Sequence, residues 1–517
     1  RNALYSNTTG TRNTAVGRGA LDSSTTASDN TGLGYFALEA NTGADNTAVG
    51  SYSLYTNIGG ASNTALGYNS LGANTTGSSN VAVGKSALRS NTTAGTNTAV
   101  GNNALELNTT GVGGTAVGYY ALQAHTTGTN NTAVGYAALD ACTTGIDNTA
   151  VGVNANGVIT TGSYNMAFGR NANNACTTGN ANLAIGYTAL ATNIASDNIA
   201  IGHGALVANT TGTANVAIGV AALDANTTGS QNTATGYHAL GANTTGSYNN
   251  AFGRQALQVN TTGASNCAFG YVALALNTTG NYNHAFGDYA LTNCTTGSSN
   301  VANGYNALGA STTGGNNTSV GFESLKLNTT GGDNCAFGSE ALENNTTAAS
   351  NTAVGRSALF ANTTGTLNTA LGAYALDASS TGGNNTAVGA YALTTNTTAG
   401  HNTGIGYYAL ALNTSGAYNT SVGSYTLDAN TTGANNTAVG YNVLSENTIG
   451  FENAAIGFGS LDANTTGARN TSVGNSTLSA NTTASDNTAL GNAAMNVNTT
   501  GAYNTAVGSY ALDANTT

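Results

Sequence analysis

The chain has 517 residues, a net charge of −11 and only 6% charged side chains, against roughly 25% in ordinary soluble domains. Acids and bases are scattered singly, so there is no basic stripe to hold nucleic acid, and no run of about 18 apolar residues could form a membrane-spanning helix. Disorder is excluded as well, because apolar residues recur at fixed places from one end to the other.

The recurring unit is N-T-A-V-G-Y-x-A-L-x-A-N-T-T-G-x-x, seventeen places long. Repeats open at 13, 30, 46, 63, 80 and 97, at 114 with Gly for Asn, and then from 131 onward to 504. These are thirty starts; of the 29 intervals, 27 are 17 residues and two are 16. Both short repeats lose their residue after the Leu, before Asp45 and before Asp197. The Asn-to-Leu half therefore carries the register, and the Asn-Thr-Thr-Gly half is a turn with slack. No linker or composition break interrupts the array, so residues 1–517 read as a single repeat domain without caps. Both ends fall in mid-repeat, as in a segment of a longer chain.

Seventeen residues with Gly at places 5 and 15 are too few for the two packed helices of an α-solenoid. Thr and Val at places 2 and 4 alternate with Ala and Gly at places 3 and 5, the period of a strand. A second extended segment is expected over places 7 to 9, with the Leu inward. This defines an all-β fold, a parallel β-solenoid of about 30 coils. In the repeat that opens at 131, the structural positions are Asn131, Ala133, Val134, Gly135 and Leu139. Place 4 is expected to pack, with Phe252, Phe269 and Phe286 as a ladder, and Thr235 and Asn303 as weak points. Gly at place 5 marks a tight bend or a close backbone approach, and the small-residue face of Ala133 and Gly135 could meet solvent, the chain itself or a subunit interface. Identical residues stack coil on coil, which favours Asn ladders and disfavours charges. Acids such as Asp140, Asp377 and Asp428 at place 10 are expected to face solvent.

The run Asn-Thr-Ala-Val-Gly-Tyr-Tyr-Ala-Leu, repeated along the whole chain, resembles the head repeat of YadA-like trimeric autotransporter adhesins, and similar repeats occur in phage tail fibres. The resemblance maps Asn131, Ala133, Val134 and Gly135 onto the family's inner strand and Ala138 onto its Ser/Ala position. It implies a left-handed parallel β-roll, a homotrimer and an extracellular, cell-surface or virion location. The family repeat is about 14 residues, so the Leu and Asn-Thr-Thr segment enlarges the coil here, which leaves open whether the chain stands alone.

Catalytic groupings are absent from the sequence. His125, His203, His238, His284 and His401 fall at five different places in the repeat, none with a carboxylate at a useful spacing. With 71 glycines, matches such as Gly32-Leu-Gly34 to phosphate loops are chance. Cys142, Cys176 and Cys294 replace Asn at place 12, and Cys267 and Cys335 replace Thr at place 2. Cys142 and Cys176 are two coils apart, about 9.6 Å by strand spacing, beyond disulfide reach. Cys267 and His284 stack in neighbouring coils and form the one weak candidate for a soft metal. Tyrosines gather at places 6 and 7, where they cover the strand edge or offer rings to sugars.

The expectation is a non-enzymatic structural fibre or adhesin shaft, without cofactor or metal, that spaces and presents a binding tip. Its partners are other copies of itself, in a homotrimer or filament, with a host-surface glycan or matrix as a further candidate. A repetitive binding surface, for glycan or less favourably for ice, is the alternative. The adjacent Thr at places 13 and 14 cannot both face outward from a strand, which counts against ice.

Overall fold

A computed structural model of the chain describes residues 2–516. It is all-β, a parallel β-solenoid with one coil per repeat, and the described residues form no helix. The chain divides into two compact units, Arg1–Thr262 and Gly263–Thr517. In the first, β1 (Thr14–Val16) through β15 (Asn250–Phe252) occupy places 2 to 4 of successive repeats. Each strand lies parallel and in register on the next: Thr132, Ala133 and Val134 pair with Thr149, Ala150 and Val151. Both 16-residue repeats keep this register, Thr31 pairing with Thr47 and Leu183 with Ile199, because the lost residue lies in the turn. In the second unit, β16 (Cys267–Phe269) through β30 (Thr505–Val507) repeat the pattern.

The strand faces are inverted from the sequence expectation. Ala133 points inward and is fully buried, whereas Val134 points outward and is 37% exposed. The interior is already filled by the Leu of place 9, the Ala of place 8 and two rows of Asn, all fully buried. A methyl group is all that fits beneath the strand. At Gly32, an added Cβ would sit 3.4 Å from the Leu21 side chain and 3.2 Å from the Ala37 carbonyl oxygen. Where place 3 carries Ser, place 8 carries Ser or Thr, and the hydroxyls pair across the core: Ser319 with Ser324, and Ser421 with Thr426. Thr235 and Asn303, at place 4, therefore lie on the surface and weaken no core.

Among the described residues, the expected second strand is also absent. Places 7, 9 and 17 adopt the left-handed region, as at Ala137 (φ 49°), Leu139 (φ 50°) and Asp147 (φ 55°). That backbone turns the Leu into the interior without an extended segment. It costs about 1–2 kcal/mol at each non-glycine residue, and stacking on the neighbouring coils must offset it. Among the described residues, only β26 (Thr437–Tyr441) and β27 (Ala454–Phe458) run two residues further.

Gly135 meets both conditions proposed for it. Its φ is 141°, and a Cβ there would lie 2.5 Å from the Gly152 carbonyl oxygen of the next coil.

Two side-chain ladders tie the coils together. At place 1, Asn131 Oδ1 accepts the Asn148 backbone N–H at 2.9 Å and its amide at 3.1 Å, while Asn148 Nδ2 donates to the Gly162 carbonyl at 2.9 Å. At place 12, Asn74 Nδ2 donates to Asn57 Oδ1 at 2.7 Å and to the Gly77 carbonyl at 2.9 Å. Each buried amide thus satisfies backbone groups that the turns would leave unpaired.

Candidate functional site

Each coil turns one uncharged strip outward. Places 2 and 4 contain no Asp, Glu, Lys or Arg in any of the thirty repeats, although the chain carries a net charge of −11. Place 4 is apolar in all but Thr235 and Asn303, and Val16, Leu66, Phe168, Ile218, Leu371 and Ile456 are among its exposed members. Place 4 is more than a third exposed in many coils, as at Val134 (37%) and Leu371 (48%), so each unit carries a continuous row of outward apolar side chains. Uncovered apolar patches on monomers seldom exceed a few hundred Å².

Of the five positions singled out in the sequence, Asn131, Ala133 and Leu139 are fully buried, Gly135 is half-buried at the bend, and Val134 faces out. The four build the coil, and the fifth is its presented side chain. Alternation along the strand signalled two faces; it did not say which was wet.

Groups that could carry chemistry are dispersed. Cys267 and His284 are register partners on the outward strip, the first half-buried and the second exposed. Among the described residues, no three His, Cys, Asp or Glu side chains are grouped to hold a metal. The five cysteines are free thiols. Cys142 and Cys294 sit in the place-12 ladder against the Gly145 and Gly297 carbonyls at 3.8 and 3.5 Å, and burial pushes both thiols up to about 11. They substitute for Asn as small buried groups. His203 and His401 lie stacked on Tyr187 and Tyr418.

His125 replaces Asn in the same ladder and is fully buried. Its Nδ1 lies 3.0 Å from Asn108 Oδ1 and its Nε2 3.0 Å from the Asn131 amide nitrogen. Burial lowers its pKa to about 4.

The turn Asn of the Asn-Thr-Thr sequence is interior, as at Asn74 and Asn226, so the ladder excludes it as an acceptor for glycan. The Thr after it donates its hydroxyl to the carbonyl of its counterpart one coil on, Thr75 to Thr92 at 2.9 Å.

At the next corner, places 7, 10 and 11 line shallow clefts. Tyr374, Tyr391, Tyr408 and Tyr425 stack in succession with centroids 5.2, 5.1 and 5.9 Å apart. The acids of place 10 are half-buried here, contrary to the solvent-facing expectation; burial raises the carboxyl pKa of Asp140 and Asp377, and that of Asp428 to about 6. The coil corner shields one side of each carboxylate, which the sequence alone does not show.

No protein-family model and no curated protein matches this sequence. Among the described residues, no helix is long and apolar enough to cross a membrane.

Proposed function

We propose that the chain is a structural, non-catalytic repeat that associates side by side with other copies of itself through the outward strip of places 2 and 4. The observation that carries this is the strip itself: free of Asp, Glu, Lys and Arg, exposed and apolar at place 4, and repeated from coil to coil. The expected assembly is a homotrimer, serving as an extracellular fibre or adhesin shaft at a cell surface or on a virion. The near-identity of the coils supports a spacer role, since thirty equivalent rows present no single place shaped for one substrate.

The glycan-binding alternative draws on the exposed tyrosines, yet rings within the stacked ladder cover each other's faces. The ice-binding alternative gains an outward Thr row at place 2, but Met166, Leu183, Ile199 and Val216 interrupt it in four successive coils.

The test places carboxylates in the strip. Val117→Asp, Val134→Asp and Val151→Asp together should lower the oligomer mass in light scattering while the circular dichroism of the coils persists. An oligomer of unchanged mass would refute the assigned face.

A further inference from the structure

Near-identical coils pose a problem for copies that pack side by side. Sliding one copy along another by a single coil, about 4.8 Å, brings an almost identical strip back into contact. Apolar burial is non-directional, so the Val, Ile, Leu and Phe of place 4 do not choose between one level and the next. The choice has a structural consequence. Copies related by rotation alone close into a ring, whereas a stagger repeated from copy to copy gives an open assembly.

The strip carries two residues that distinguish the levels. Thr235, half-buried, breaks the apolar row of place 4 in the first unit, and Asn303, exposed, breaks it in the second. Their register neighbours are apolar: Ile218 and Phe252 beside Thr235, Phe286 and Val320 beside Asn303. Among the described residues, the Asn303 side-chain amide has no hydrogen-bond partner within the chain. When copies stand level, Asn303 meets the Asn303 of the next copy, and each amide offers the other both a donor and an acceptor. A slip of one coil sets it against Phe286 or Val320 instead, where burial leaves the amide unpaired. A single Asn in an apolar coiled-coil seam fixes register by the same contrast.

We propose that Asn303, supported by Thr235, fixes the axial register of associated copies, so that each coil lies level with the same coil of its neighbours. The partner this surface selects is a parallel, unstaggered copy of the chain. This role rests on the self-association proposed for places 2 and 4.

Moving the amide by one coil tests it. The variant Asn303→Val, Val320→Asn changes only outward side chains, so its circular dichroism should match the wild type. By itself it should form oligomers of the wild-type stoichiometry. Native mass spectrometry of isotope-labelled wild-type chain, dissociated and reassembled with unlabelled partner, then reads the mixing. Mixed oligomers with the shifted variant should fall about tenfold or more below those with unlabelled wild type. Statistical mixing, or a shifted variant that does not assemble, would overturn the register role while leaving self-association intact. A wild-type chain that stays at 50.8 kDa would refute self-association itself, and the register role with it.

Discussion

His125 offers a sharp test of the ladder, because its imidazole titrates on the acid side of neutrality. Its neutral form with the proton on Nδ1 fits both neighbours: Nδ1–H donates to Asn108 Oδ1, and Nε2 accepts from the Asn131 amide. Protonation would set a second N–H against that amide, donor against donor, inside a fully buried row. The unfolded chain takes up this proton as pH falls through the ordinary value of 6.5, whereas the folded chain resists until about 4. The His125 contribution to stability is therefore constant above pH 6.5 and falls between 6.5 and 4. At about 1.4 kcal/mol per decade, the loss reaches roughly 3 kcal/mol. Asn131 also holds the Asn148 backbone N–H at 2.9 Å and the Gly145 carbonyl at 2.7 Å, so the loosening should spread into the next coil. His125→Asn supplies the consensus rung and should remove the His125 share of the pH dependence. Hydrogen exchange of peptides covering residues 108–148, corrected for intrinsic chemistry and read at pH 7 and 4.5, measures it. An equal loss of protection in the wild-type and His125→Asn chains would refute the reasoning.

Other substitutions separate inward from outward places. Ala133→Leu should overpack the interior and cost about 1–3 kcal/mol in denaturant unfolding, whereas Asn303→Val, on the surface, should change stability by less than about 0.5 kcal/mol. Gly135→Ala meets both a positive φ and the Gly152 carbonyl, and should lose roughly 2 kcal/mol or more. Asp428 carries the opposite pH sign to His125. Its folded pKa is raised to about 6, so its contribution is present below its ordinary 3.8 and lost as pH rises through 6. Asp428→Asn should thus stabilise the chain above pH 6 and leave it unchanged near pH 3, as read by urea titration.

The coil was legible in the sequence wherever identity itself was the signal. The 17-residue spacing fixed the register, and the repeated Asn at places 1 and 12 announced rows that bond between coils. What escaped was set by the size of the interior. Val134 is the more hydrophobic of the pair and Ala133 the smaller; Leu139 and the Asn rows leave space for the smaller, so volume overrode hydrophobicity. The left-handed backbone of Ala137 and Leu139 was hidden because neither residue is Gly or Asn, the usual markers of that conformation. The half-burial of Asp428 depends on ring packing between neighbouring coils, which no single repeat contains.

Side-by-side association through the strip of Val134 and its equivalents is the central claim, and the solution mass of the unaltered chain tests it most directly. Sedimentation equilibrium over a range of concentrations should return three times the 50.8 kDa of one chain. A single 50.8 kDa species at every concentration would contradict it.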